Sequence, residues 1–389
     1  MTEDQYWGND AFCPLPWTSI YVEPDGLTDT CCIARNRLGN IKNNAIEEII
    51  NSDYNISIRK NMLDGKRVDG CSRCYPPKNL AIGDNAGNIN NYLRYIMLNI
   101  FKHLDKTIYD NPDKFELRYA DLRFRNTCNY ACVYCSEDLS STWAAEKKIF
   151  PVSDDAAISK LIQYFCDNAA TLEKIYMAGG EPLLIKENEI ILERLLEVNP
   201  NCKILVNTNL SMIENNKIFN LLLKFKNVMW LISAEDMYER YEYIRYPGVW
   251  STFDTNLKFL KNNIPKTQEI AFNMVYLALN TKSFFNFVDY LFSLGFTREN
   301  LNVNYINGGH HPSYLDPRML PKTYIKDTIE IAERYAGEDR FGTNVRVLID
   351  FLKTGVIEHH DIFKFFEETD LSRNLDSKKV FSDIYATRQ

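Results

Sequence analysis

Ten cysteines are the residues best able to do chemistry in this 389-residue chain, and their spacing is uneven. Three stand close together in Cys128-Asn129-Tyr130-Ala131-Cys132-Val133-Tyr134-Cys135, a C-x3-C-x2-C spacing. Three thiolates on one short loop can hold three corners of an iron–sulfur cube and leave the fourth iron open. An open coordination position is what separates a catalytic metal centre from a structural one. Taken alone, the triad also fits a zinc site or three unrelated thiols.

A second motif, Met177-Ala178-Gly179-Gly180-Glu181-Pro182, follows a β-rich run. Paired glycines let the backbone come close to a ligand, and the Glu181 carboxylate can meet an ammonium group. On its own, Gly-Gly-Glu-Pro is only a turn. A second cysteine group lies nearer the N-terminus: Cys13, Cys31-Cys32, and Cys71 with Cys74. Asp25-Gly26 between β-rich runs signals a hairpin that would bring Cys13 near Cys31, with the Cys71/Cys74 pair closing the other side. Four thiolates from Cys13, Cys31, Cys71 and Cys74 complete a tetrahedral shell or all four corners of a cube, so zinc and iron–sulfur both fit. Cys32 is then spare. Cys166 and Cys202 read as small buried hydrophobes.

The elements that must position these motifs follow from periodicity. Strands are expected at Phe115–Arg125, Lys174–Met177, Lys203–Asn207, Val228–Ser233, Glu269–Leu277 and Leu301–Ile306. Helices are expected at Ser153–Asn168, with Ser153 as its cap, and at Glu187–Val198, Asn215–Lys226, Ser251–Asn263 and Lys282–Leu294. Such alternation argues for parallel strands joined by right-handed crossovers, a partial (β/α)6 TIM-like barrel with its chemistry at the strand C-terminal ends. The reading divides the chain into a small Cys-rich hairpin and helix domain at 1–80, a linker at 81–114 with a helix over Tyr92–Leu104, the α/β core at 115–323 and a helical extension at 324–389.

Composition narrows the partners. Lys and Arg number 45 against 52 Asp and Glu, a net charge of -7, so no global positive field draws a nucleic-acid backbone. No apolar run is long enough to span a bilayer, and the acidic start, Met1-Thr2-Glu3-Asp4, lacks the order of a secretory signal. The expectation is a cytoplasmic protein with neither nucleic-acid nor membrane partner, in a reducing compartment where paired cysteines ligate metals.

With these residues in view, the chain resembles the radical S-adenosylmethionine (radical SAM) superfamily over about Phe115 to Ile306. The resemblance rests on the triad with Tyr134 before its last cysteine, the Gly-Gly-Glu-Pro turn and the strand–helix order. It implies a 4Fe-4S cluster on Cys128, Cys132 and Cys135, whose open iron is chelated by S-adenosylmethionine (SAM). One electron then cleaves SAM to a 5'-deoxyadenosyl radical that abstracts hydrogen from a substrate. It further implies that Gly179, Gly180 and Glu181 meet the SAM amino group and that Asn207 approaches the ribose. Ser233 and Glu235 stand in place of the usual Ser-x-Asp. Arg245 is where relatives hold the SAM carboxylate, and Tyr134 packs on the cluster or adenine. The plain alternatives are a polar turn at Asn207–Asn209, a buried Ser233 hydroxyl, an Arg245–Glu242 ion pair and a core Tyr134.

The N-terminal cysteines, with Gly26 and Gly39-Asn40-Ile41, are similar to the twitch or SPASM auxiliary-cluster domains attached to such enzymes. That implies a second 4Fe-4S cluster, with zinc as the alternative. The cysteines of a full SPASM domain are absent after Cys74, so at most one auxiliary cluster fits, and here the domain precedes the barrel. The resemblance implies modification of a peptide or protein substrate and a flavodoxin- or ferredoxin-type electron donor. A small-molecule substrate is the alternative, with the loop Asn307–Pro312 supplying acid–base groups. A non-catalytic, metal-stapled binding protein is the reading from another class.

Overall fold

The computed structural model describes residues 9–75, 106–149, 153–306, 313–355 and 362–388. The expected helix at Tyr92–Leu104 and the loop Asn307–Pro312 lie outside the described residues. The chain divides into two compact units. The first comprises Met1–Asn126, Pro151–Val206 and Asn216–Val228, and the second Thr127–Phe150, Asn207–Asn215 and Met229–Gln389.

In the first unit the strands are β1 (Ser19–Val22), β2 (Leu27–Asp29), β3 (Gly39–Asn40), β4 (Tyr119–Leu122), β5 (Lys174–Met177) and β6 (Lys203–Thr208), lying in the order β3-β2-β1-β4-β5-β6. The expected hairpin is present: β1 and β2 pair antiparallel, and Gly26 closes their turn at φ +87, where a side chain would be strained. β1 also pairs in parallel with β4, placing Ser19 opposite Tyr119, so the cysteine-bearing segment extends the parallel sheet. β4 is shorter than expected. Residues 115–118 fit no regular strand, and the backbone N–H groups of Glu116 and Arg118 donate instead to the Trp17 and Thr18 carbonyls.

One face of this sheet carries Ala120, Leu122, Ile175, Met177, Ile204 and Val206, all at most 1% exposed. Helices Asp155–Asp167 and Lys186–Val198 supply Phe165, Leu192 and Leu195 to the core, each contributing about 1.5–3 kcal/mol by burial. The cap of the first helix is Asp154 rather than Ser153. The Asp154 carboxylate accepts the Ala157 N–H at 2.8 Å, and its negative charge suits the positive end of the helix dipole.

The second unit holds the parallel strands β7 (Val228–Ser233), β8 (Glu269–Tyr276) and β9 (Leu301–Tyr305), with helices Trp250–Asn263 and Ser283–Ser293 between them. Alternate residues separate two faces. Trp230, Ile232, Phe272 and Met274 are wholly buried, while Leu231, Ser233, Asn273 and Val275 are half-buried. The tail is helical, as expected, with helices at Lys322–Ala332, Arg340–Lys353 and Ile362–Arg373. The fold is mixed α/β with a parallel sheet, as expected. No helix among the described residues is long and apolar enough to cross a membrane.

Candidate functional site

In the first unit Cys13, Cys31, Cys71 and Cys74 all line one partly open cavity, with Leu15 and Met62 on its apolar wall. Three separate segments bring the thiols there. Cys13 precedes the short helix Leu15–Thr18, and the buried Arg59 guanidinium fixes that segment by donating to the carbonyls of Pro16, Ile50 and Pro112 at 2.8–2.9 Å. Cys71 and Cys74 lie on one 3-10 turn, Asp69–Cys74. The Arg35 N–H donates to the Gly70 carbonyl at 2.9 Å, drawing the Cys31 segment onto that turn. A Cβ on Gly70 would meet Asn36 Oδ1 at 2.1 Å and the Arg35 carbonyl carbon at 2.9 Å, so only glycine allows this approach. Asn36 Nδ2 donates to Cys71 Sγ at 3.5 Å and to Thr30 Oγ1 at 3.0 Å. Behind the thiols lies a core of Phe12, Trp17, Met62 and Tyr109, with Phe12 and Trp17 at a ring separation of 5.5 Å.

Cys32 does not line this cavity. Its thiol lies beside Asp121 on β4, and burial pushes its pKa up to about 12, with the Asp121 charge adding to the shift. Asp121 itself accepts from Arg123 at 2.8 Å, and the Arg123 guanidinium lies over the Tyr21 and Tyr176 rings. The motif at the end of β5 packs on the same strand end. Gly179 sits at φ +108, and a Cβ there would meet the Arg125 carbonyl at 3.1 Å. Glu181 is 1% exposed, and its carboxylate accepts the Leu183 N–H at 3.1 Å.

In the second unit the triad loop is held by its backbone. The Ala131 and Val133 N–H groups donate to the Tyr246 and Ile244 carbonyls. The Cys128 carbonyl accepts from Ser141 and Thr142 hydroxyls at 3.0 and 2.7 Å, and the Cys132 carbonyl accepts from Trp143 Nε1 at 2.7 Å. These residues open the helix Ser141–Lys147, whose cap is Ser140. The Ser140-Ser141-Thr142 run is a sequence signal for this helix start. Arg373 from the tail lies 4.5 Å over the Trp143 ring and binds Glu146 with two bonds of 2.9 and 3.0 Å.

Arg245 caps the helix Tyr238–Ile244 and pairs with Glu235, not with Glu242, whose carboxylate instead accepts the Trp250 N–H. Burial opposes the Arg245 charge, but Glu235, Tyr134 and Cys132 around it raise its pKa well above the usual value. Arg245 Nη1 lies 3.9 Å from Cys132 Sγ, and the Tyr134 hydroxyl donates to Glu235 at 2.7 Å. Asn207 Oδ1 accepts from Ser233 Oγ at 3.4 Å, and Asn209 reaches the loop by donating to Asn129 Oδ1 at 3.0 Å.

A family model described as the Radical SAM superfamily matches residues 122–291, and one described as an iron-sulfur cluster-binding domain, SPASM, matches residues 13–75. Residues 122–291 thus match the radical SAM superfamily. Among curated proteins, the GTP 3',8-cyclase of Nautilia profundicola is 26% identical over 99 residues, which is 25% of this chain and 30% of that protein. The same enzyme of Actinobacillus pleuropneumoniae serotype 3 is 31% identical over 99 residues, 25% of this chain and 28% of that one. The matches thus span under a third of these relatives. Among solved structures, anSMEcpe with AdoMet and the Cp18Cys peptide aligns at TM-score 0.39 and 16% identity, over 56% of this chain and 59% of that one. Streptococcus suis SuiB bound to the precursor peptide SuiA aligns at TM-score 0.39 and 14% identity, over 81% and 69%. At these TM-scores neither likeness bears on fold or substrate.

The cofactors that go with these two domains are a 4Fe-4S cluster with SAM and an auxiliary iron–sulfur cluster. The residues fit such groups: four thiols on one cavity supply a full set of ligands, and three on one loop leave a position open. Among the described residues no three His, Cys, Asp or Glu side chains converge tightly enough to hold a single metal ion. Burial pushes up the pKa of Cys31, Cys71, Cys132 and Cys135, so the protein without cluster keeps these thiols protonated. Cluster binding must therefore release protons. Cys202 is buried as expected, and Cys166 is half-buried.

Proposed function

We propose that the protein is a radical SAM enzyme that cleaves SAM reductively and modifies a peptide or protein by hydrogen abstraction. In this reading Cys128, Cys132 and Cys135 ligate the SAM-binding cluster, and Cys13, Cys31, Cys71 and Cys74 ligate the auxiliary one. The observation that supports it best is the triad loop, which carries three cysteines within eight residues and whose Cys128 and Cys132 carbonyls are tied by Ser141, Thr142 and Trp143. When bound, the cluster and SAM supply one-electron cleavage of a sulfonium and a carbon radical able to take hydrogen.

The chain's own residues then have these roles. Gly179 and Gly180 hold open the backbone at the end of β5, and Glu181 offers a carboxylate to the SAM ammonium. Asn207 and Ser233 present an amide and a hydroxyl to the ribose. Tyr134 walls the cofactor side of the loop. Arg245 keeps positive charge beside Cys132, which favours a thiolate ligand there and the carboxylate of SAM nearby. The auxiliary domain supports a peptide substrate, since a fully ligated cluster can take an electron from a substrate radical without binding the substrate. The electron donor is a flavodoxin or ferredoxin. A small-metabolite substrate is the second reading, favoured by the match of a quarter of the chain to GTP 3',8-cyclases.

Anaerobic reconstitution with iron, sulfide and dithionite tests the assignment. The wild-type chain releases 5'-deoxyadenosine from SAM, and Cys128→Ala releases none. A cluster-loaded chain that never cleaves SAM ends this reading.

A further inference from the structure

In the second unit, the face of β7, β8 and β9 opposite the fully buried core residues presents Leu231, Ser233, Ala271, Asn273, Val275 and Asn304, none of them charged. The register sets Ser233 level with Asn273, and Asn304 level with Val275. The polar members form a row. Asn304 Nδ2 donates to Asn273 Oδ1 at 2.7 Å, and Asn273 Nδ2 donates to Asn207 Oδ1 at 3.3 Å. Ser233 Oγ donates to the same oxygen at 3.4 Å. Asn302, the other amide on β9, is taken up by Arg340.

A carboxamide has two donors and an acceptor with two lone pairs, so the row uses only part of its capacity. Among the described residues, Asn207 Nδ2 and Asn304 Oδ1 have no protein partner. With Asn207 given to the ribose, the end left for a substrate is Asn304, whose half-exposed, uncharged carboxamide offers its oxygen and a second N–H beyond the one donated to Asn273. This pattern matches a ligand carrying N–H and C=O groups together, as a peptide backbone does. A nucleoside triphosphate would instead draw on Arg or Lys for charge-assisted bonds, whereas the one cation seen to bond an amide of this face, Arg340, is taken up at its margin by Asn302.

Building on the peptide reading above, we propose that Asn273 and Asn304 continue the row from Asn207 as the binding residues for an uncharged amide stretch of the substrate, and that they select peptide over nucleotide. Losing the pair of bonds made by one Asn weakens binding roughly tenfold.

The test is equilibrium dialysis of the reconstituted full chain with SAM against two probes: a pool of acetylated, amidated decapeptides lacking charged residues, and GTP. Peptide retention is read by mass spectrometry and requires no SAM cleavage, so it is separable from failure of the enzymatic reading. The wild type retains neutral peptides and not GTP. Asn273→Leu and Asn304→Ala each weaken peptide retention about tenfold, and Asn273→Asp shifts it toward a second pool carrying lysine. Thermal melting of each variant checks folding, and the two sites serve as backups for one another. Retention of GTP in place of peptides, an unselective pool, or unchanged retention in both folded variants overturns the proposal.

Discussion

Arg245 Nε donates to Glu235 Oε2 at 2.6 Å, and both side chains are nearly sealed from solvent, at 4% and 1% exposure. The pair joins the helix that follows β7 to the loop bearing Cys132 and Tyr134. Such a pair gains little over an apolar substitute, because desolvation offsets the attraction. Removing one partner is another matter, since it strands a buried charge.

Glu235→Gln should therefore lower unfolding stability by about 3–5 kcal/mol in denaturant titration. The double variant Glu235→Leu with Arg245→Met should recover most of that loss while still failing to cleave SAM. A single variant costing under about 1 kcal/mol would show the pair to be solvated in solution.

The tail reaches the triad through Arg373, which lies over Trp143 and clamps Glu146 while Trp143 holds the Cys132 carbonyl. Arg373→Leu should reduce iron bound at the triad, read in a background lacking Cys71 and Cys74. Arg373→Lys should rescue little, because an ammonium cannot make the paired bonds of a guanidinium. Full iron content in Arg373→Leu would confine the residue to tail packing.

Asn36 donates to Cys71 Sγ at 3.5 Å. A hydrogen bond to a ligand sulfur stabilises the reduced, more negative cluster and raises its potential. Asn36→Leu should shift the auxiliary cluster to a more negative midpoint in an EPR-monitored redox titration. An unmoved midpoint with full cluster content would assign the contact to packing alone.

Asp236 is fully buried, and burial raises its pKa to about 7 from the ordinary carboxylate value, against the lowering influence of Ser283 and Arg240. The folded state thus holds this proton more tightly than the unfolded chain, whose aspartates titrate near pH ~3.9. The stability it contributes is complete below that unfolded value and is lost as pH rises through about 7. Asp236→Asn should gain thermal stability relative to wild type between pH 5 and pH 8. A difference that does not change with pH would contradict the assignment.

Much of this was legible beforehand. The strands Lys174–Met177 and Val228–Ser233 fall where alternation and flanking turns put them, because short apolar runs between helical segments have few other solutions. The hairpin at Asp25-Gly26 was equally plain, since its turn demands a residue free to take positive φ. Cap choice was not: Ser153 and Asp154 both suit the position, and only the helix's place on the sheet selected Asp154.

What the amino-acid order determined by itself was local. It fixed three thiols on one loop, two glycines where backbone must pass close to backbone, and the alternation that builds a parallel sheet. Tertiary structure decided everything carried between distant segments. It chose Glu235 over Glu242 for Arg245, set Cys32 beside Asp121, laid β1 beside β4, and brought Arg373 to Trp143. Neighbouring residues in sequence share a backbone, not a direction. Which side chain meets which partner is settled only when buried charges and polar atoms must all be satisfied at once.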